Sequence, residues 1–91
     1  MIEIMIIENP TEEQLHELGV KTWPVWEKEE SEFPWTYDAE ETCFLLEGEV
    51  VVTPDRGEPV KFVAGNLVTF PSGMSCTWNI SKAVRKHYRF C

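Results

Sequence analysis

The residue types with the most capacity for chemistry lie in two stretches: FPWTYDAEETCFLLEG from Phe33 to Gly48, and CTW from Cys76 to Trp78. Period-two alternation puts Phe33, Trp35 and Tyr37 on one face, and Glu41, Cys43 and Leu45 on one face of the next run. A carboxylate sharing a face with Cys43 and Leu45 points to an interior, where it must find donors or take up a proton. Aromatic rings beside such a carboxylate would suit a cation, because ring quadrupole and charge act together.

Each of these residues also has a plainer reading. Trp35 and Tyr37 fill a small barrel equally well, since aromatic side chains are large buried residues more often than ligand platforms. Glu41 serves as a structural acceptor for Tyr37 or for a nearby Lys or Arg, and Cys76 as a small buried hydrophobe. In RKHYRF, alternation sets Arg85, His87 and Arg89 against Lys86, Tyr88 and Phe90; with the aromatics inward, His87 faces out. His16 is on the predicted helix, and neither histidine supports a catalytic triad. The charged run WEKEESE, Trp26 to Glu32, reads as an exposed strand edge kept soluble by charge, or else as Glu side chains facing the cations of RKHYR.

The elements that must carry these residues are mostly short strands. Ile2 to Ile7 is apolar and β-branched, and Thr11 with Gln14 three residues later forms a capping box that opens a helix, TEEQLHEL, ended by Gly19. No second helical segment is predicted. Gly48 breaks the strand that begins near Glu41, and Glu49–Thr53 and Val60–Val63 flank PDRGEP, a hairpin turn signal. Leu67–Phe70, Met74–Ile80 and Val84–Phe90 complete a set of around eight short strands, which predicts a sandwich or small barrel.

Composition narrows the setting. Ninety-one residues form one domain, residues 1–91, with a modest core that a partner subunit would enlarge, so a homodimer is expected. A hydrophobic fraction of 43% with four Trp excludes disorder, and no apolar run approaches the roughly 20 residues of a membrane span. Sixteen acidic against eight basic side chains give a net charge of −8, which disfavours nucleic acid as a partner. MIEIMIIENP lacks the features of a secretory signal, and Cys43, Cys76 and Cys91 form neither a CxxC pair nor an even-numbered framework, so a cytoplasmic, reducing setting is expected, with Cys91 exposed.

Two motifs carry a resemblance. Glu41 followed by TCFLLEG resembles the end of the first cupin motif, and GNLVTFPSGMSCTW resembles the second, with Gly65, Pro71 and Gly73 at its spacing. The wider run from WPVWEKEESEFPW to VRKHYRF is similar to small single-domain cupins of unknown function, relatives of the ureidoglycine aminohydrolase cupins. The resemblance implies an all-β, cupin-type jelly-roll β-barrel with one short N-terminal helix. It also implies that the motif residues point into the lumen, and that the three His and one Glu of metal-dependent cupins fall on Trp35, Tyr37, Cys76 and Glu41. On that footing the lumen has an aromatic wall of Trp35, Tyr37 and Trp78, the catalytic candidates are Glu41, Tyr37 and Cys76, and the ligand-binding ones are Trp35, Tyr37, Glu41, Cys43, Cys76 and Trp78. Indole has no lone pair to give and neutral phenol is a poor ligand, which leaves Glu41 and Cys76, so no cofactor is expected and a divalent transition metal is the alternative.

Three functions follow from these readings. The first is a cupin that binds a small polar or amine-bearing metabolite in its lumen. The second is an enzyme on the same residues, metal-free through Glu41 and Tyr37 or metal-assisted through Glu41 and Cys76. The third is a dimeric interaction module with a filled barrel.

Overall fold

The computed structural model describes residues 4–90. Seven strands run in the order β1 Met5–Ile7, β2 Val25–Lys28, β3 Ser31–Thr36, β4 Glu41–Pro54, β5 Val60–Val63, β6 Leu67–Phe70 and β7 Ser75–Phe90, with helix α1 Glu12–Leu18 after β1. The fold is all-β and antiparallel, a jelly roll in which two long strands are shared between two halves. β4 pairs β6 through Glu41–Phe44 and β5 through Glu49–Val52, while β7 pairs β3 through Ser75–Ile80 and β2 through Val84–His87. β4 and β7 also pair with each other along almost their full lengths, so they form the spine of the molecule.

Two predicted strand breaks are absent. β4 continues through Gly48, and the runs expected at Met74–Ile80 and Val84–Phe90 are one strand, β7. What Gly48 does is bend β4: the register against β7 shifts between Leu45 and Glu47, again before Glu49, and again before Val50. Shifts of this kind, β-bulges among them, bend a strand and increase local twist. Gly48 has φ +107, and a Cβ there would lie 2.5 Å from the Ala83 carbonyl oxygen and 2.8 Å from Val84 Cα. Only glycine permits that approach of two backbones. The charged run from Trp26 is likewise two strands, β2 and β3, separated by Glu29 and Glu30.

At the N-terminal side the capping box forms: the Gln14 amide donates to Thr11 Oγ1 at 3.1 Å, and the Thr11 amide to Gln14 Oε1 at 2.8 Å. Gly19 ends α1 with φ 73. A single 3-10 turn, Val20–Thr22, follows and was not signalled by the sequence; the Thr22 hydroxyl donates to the Gly19 carbonyl at 2.6 Å. This turn buries Val20 and leads to Trp23, which packs under Arg89. His87 is half-buried and not simply outward, its Nδ1 lying 2.9 Å from the Trp23 carbonyl oxygen. Ile2 and Cys91 lie outside the described residues.

The core is the inner face of the two long strands and their partners: Leu45, Val50, Val52, Phe62, Val68, Phe70, Ile80 and Val84 are buried together with Tyr37, Cys43, Cys76 and Trp78. Among the described residues, no helix is long and apolar enough to cross a membrane.

Candidate functional site

Register assembles the site. Glu41 opposes Phe90 across β4 and β7, Cys43 opposes Tyr88 and Leu45 opposes Lys86, so these six side chains share one face. On the other flank of β7, Trp26 opposes Lys86, Phe33 opposes Trp78 and Trp35 opposes Cys76. Eight of these residues, together with Tyr37, line a cavity of about 240 Å³, walled by Trp26, Phe33, Trp35, Tyr37, Trp78, Tyr88 and Phe90, with Glu41 and Lys86 as its charged members. Trp35 and Phe90 stand at its mouth, each about half exposed.

Lys86 is the residue that sequence reasoning did not place here. Its ammonium lies 2.9 Å from Glu41 Oε2, and both side chains are almost fully buried, 5% and 4% exposed. The same nitrogen sits 4.6 Å from the Trp78 ring centroid and 4.9 Å from that of Trp26. The cation for which an aromatic wall and a carboxylate are suited is therefore supplied by the chain itself. Glu41 takes the role of acceptor for a lysine, one of the readings its position allowed. Lys86 takes one carboxylate oxygen; among the described residues Oε1 has no hydrogen-bond partner, yet it is not a sealed, unsatisfied atom. Alternation had set Lys86 beside Tyr88 and Phe90, which was the available signal. Trp26 was hidden because the charged residues around it made the run look like an exposed edge.

Four of the six expected ligand-binding residues line the cavity: Trp35, Tyr37, Glu41 and Trp78. Cys43 and Cys76 do not. Both thiols are buried, and burial pushes Cys43 up to about 12 and Cys76 to about 11, so each stays protonated at neutral pH. Cys76 Sγ is 3.6 Å from the Trp35 carbonyl oxygen, toward which its proton is directed. The Tyr37 phenol receives the Trp78 indole N–H at 3.2 Å and stacks on Phe70 at 5.0 Å. Burial first, and the Glu41 charge second, push that phenol far above the ordinary tyrosine value. It is a hydroxyl that keeps its proton. Among the described residues no three His, Cys, Asp or Glu side chains converge as a metal-binding group.

Outside the cavity, the WEKEESE run does meet the cations of β7: Glu27 lies 3.5 Å from Arg85, which also reaches Glu47 at 3.8 Å. These groups are largely exposed, so the pairs add little.

A barrel of two shared long strands, with an aromatic cavity at the positions of the two cupin motifs, defines a small cupin. The model of the EutQ-like cupin domain matches residues 15–88, and the chain belongs to that family. A DUF861 family protein from Thermotoga maritima has the same structure at TM-score 0.95, with 50% identity over 98% of this chain and 100% of that one. The ethanolamine utilization protein Q of Salmonella typhimurium matches at TM-score 0.66 and 30% identity, over 72% of this chain and 53% of that one, so the present chain spans about half of it. A DUF861 family protein from Pseudomonas syringae matches at TM-score 0.67 and 28% identity, over 74% of this chain and 29% of that one. No curated protein matches the chain.

Proposed function

We propose that this EutQ-like cupin binds a small metabolite in the aromatic cavity, without a metal. The observation that carries the proposal is the buried Lys86–Glu41 pair at the cavity wall. A buried ion pair gives less stability than well-packed apolar side chains of the same volume, so its presence inside a cavity favours a role in recognition. At about 240 Å³ the cavity is smaller than the roughly 300 Å³ at which ordinary ligand pockets begin, which suits a molecule of about one ring.

Metal does not fit the residues present. At the positions implied by the cupin resemblance stand an indole, a protonated phenol, a thiol held protonated by burial, and a carboxylate already engaged by Lys86. A divalent ion would have to displace the ammonium and find further donors among aromatic rings. The amine-bearing half of the expected ligand class is also weakened, because Lys86 stands where a ligand ammonium would go.

Catalysis on the same residues is the second reading, favoured by one observation: among the described residues Glu41 Oε1 has no hydrogen-bond partner, beside an ammonium that holds Oε2. Proton transfer would then fall to Glu41 and Lys86, since Tyr37 holds its proton too firmly to act as a base.

The test is a thermal-shift screen of small metabolites, including ethanolamine for the compound in the Salmonella neighbour's name, run on the protein and on Trp35→Ala. Trp35 lines the cavity yet is 47% exposed, so its replacement leaves the fold intact. Hits are expected to weaken in the variant. Hits that persist unchanged with Trp35→Ala, or a stoichiometric transition metal in untagged protein, would overturn the proposal.

A further inference from the structure

We infer that the ligand of this cavity is a neutral, planar molecule with a carboxamide-type edge, a carbonyl acceptor beside an N–H donor, an inference that rests on the cavity being the binding site. The argument starts from charge. Lys86 and Glu41, 2.9 Å apart, leave the polar part of the wall with no net charge. A ligand ammonium would enter a box whose two indole faces already hold the Lys86 nitrogen at 4.6 and 4.9 Å, and it would meet that like charge. A ligand carboxylate could reach Lys86 only at the side of Glu41, whose second oxygen would then face another anion. Like charges brought together at a binding surface repel, so either ion is disfavoured.

A neutral edge avoids both penalties. The Lys86 ammonium has three N–H donors and gives one to Glu41, so it can donate to a ligand carbonyl. Glu41 Oε1, without a partner among the described residues, can accept from the adjacent ligand N–H. Both contacts involve an ionised protein group and are of the stronger, charge-assisted kind. A primary amide or a lactam presents its acceptor and donor side by side, as the neighbouring ammonium and carboxylate require. The rest of the lining is wholly aromatic, Tyr37 and Trp78 included, and offers ring faces and edges to a flat molecule and no further charge. The cavity volume admits one ring bearing that edge and little more.

Benzamide, benzoate and benzylamine share a skeleton and differ only at the edge, and toluene lacks a polar edge altogether. Each is titrated into the protein at neutral pH while the indole N–H signals of Trp26 and Trp78 are followed by heteronuclear NMR. Benzamide is expected to shift both signals with an affinity at least about tenfold above benzoate and benzylamine, a difference of about 1.4 kcal/mol. In the doubly apolar variant Glu41→Leu with Lys86→Met, that preference is expected to vanish while toluene still binds. Tighter binding of benzoate or benzylamine overturns the ligand class and leaves the cavity as the site. Shifts with toluene but with none of the three polar probes likewise overturn the class alone. If no probe, toluene included, moves either indole signal, the reading of the cavity as a binding site falls with it.

Discussion

Removing Lys86 is the sharpest test of how the site is held together. The ammonium and Glu41 Oε2 are 2.9 Å apart, which corresponds to an attraction of about 6 kcal/mol at an effective dielectric of about 20. Two indole faces within 5 Å add roughly 2 kcal/mol each when desolvated. Against these gains stands a desolvation cost of several kcal/mol for each ion, so the assembled pair contributes little net stability. Breaking it is another matter. Lys86→Met leaves the Glu41 carboxylate buried with no cation and should cost about 3–5 kcal/mol, whereas Glu41→Gln keeps an acceptor for the ammonium and should cost about 1–3 kcal/mol. The double replacement Glu41→Leu with Lys86→Met should lie within about 1.5 kcal/mol of the parent, far less than its two single changes summed. Urea unfolding at pH 7 of the parent, Lys86→Met, Glu41→Leu and the double replacement measures the cycle, with Glu41→Gln unfolded alongside them. Additive single effects, or a Lys86→Met cost below about 1 kcal/mol, would refute the idea that these charges depend on each other.

Gly48→Ala should destabilise by about 3 kcal/mol or more, because a positive φ and a Cβ 2.5 Å from the Ala83 carbonyl oxygen add strain to steric overlap; a melting temperature like the parent's would refute the bulge argument. The buried thiols of Cys43 and Cys76 are raised from 9.0 to about 12 and about 11, so folding keeps their protons on while the unfolded chain loses them. Their contribution is complete below pH 9 and is lost as pH rises through the folded values, so unfolding free energy should fall by about 2–3 kcal/mol between pH 8 and pH 10. A flat profile there, or no relief on Cys43→Ala, would contradict the burial of that thiol. β1 is an edge strand carrying Met5 and Ile7, 66% and 46% exposed, and covering them is the expected basis of a homodimer. Light scattering at micromolar concentration should give a dimer mass that Met5→Lys with Ile7→Lys reduces to that of a monomer; a parent protein that scatters as a monomer removes the expectation.

The sequence by itself determined the class of fold, because the features that specify it are local. Alternation at period two marks a strand wherever it falls, the Thr11–Gln14 capping box and Gly19 delimit a helix within a few residues, and the spacing of Gly65, Pro71 and Gly73 sits inside one motif. Alternation also put Lys86 on the face of Tyr88 and Phe90 and Glu41 on that of Cys43 and Leu45. Only the tertiary structure decided that these two faces are one wall. Lys86 and Glu41 are 45 residues apart, and their meeting depends on the register of β4 against β7. That register is shifted three times around Gly48, where the sequence suggested a strand end and the fold makes a bend instead. The same register brings Trp26 opposite Lys86, so an aromatic residue embedded in charges becomes part of the cavity. A periodic pattern reports which side of a strand a residue occupies; which residue it faces across the sheet is fixed by pairing between distant segments, and that pairing put a lysine where a ligand's cation was expected.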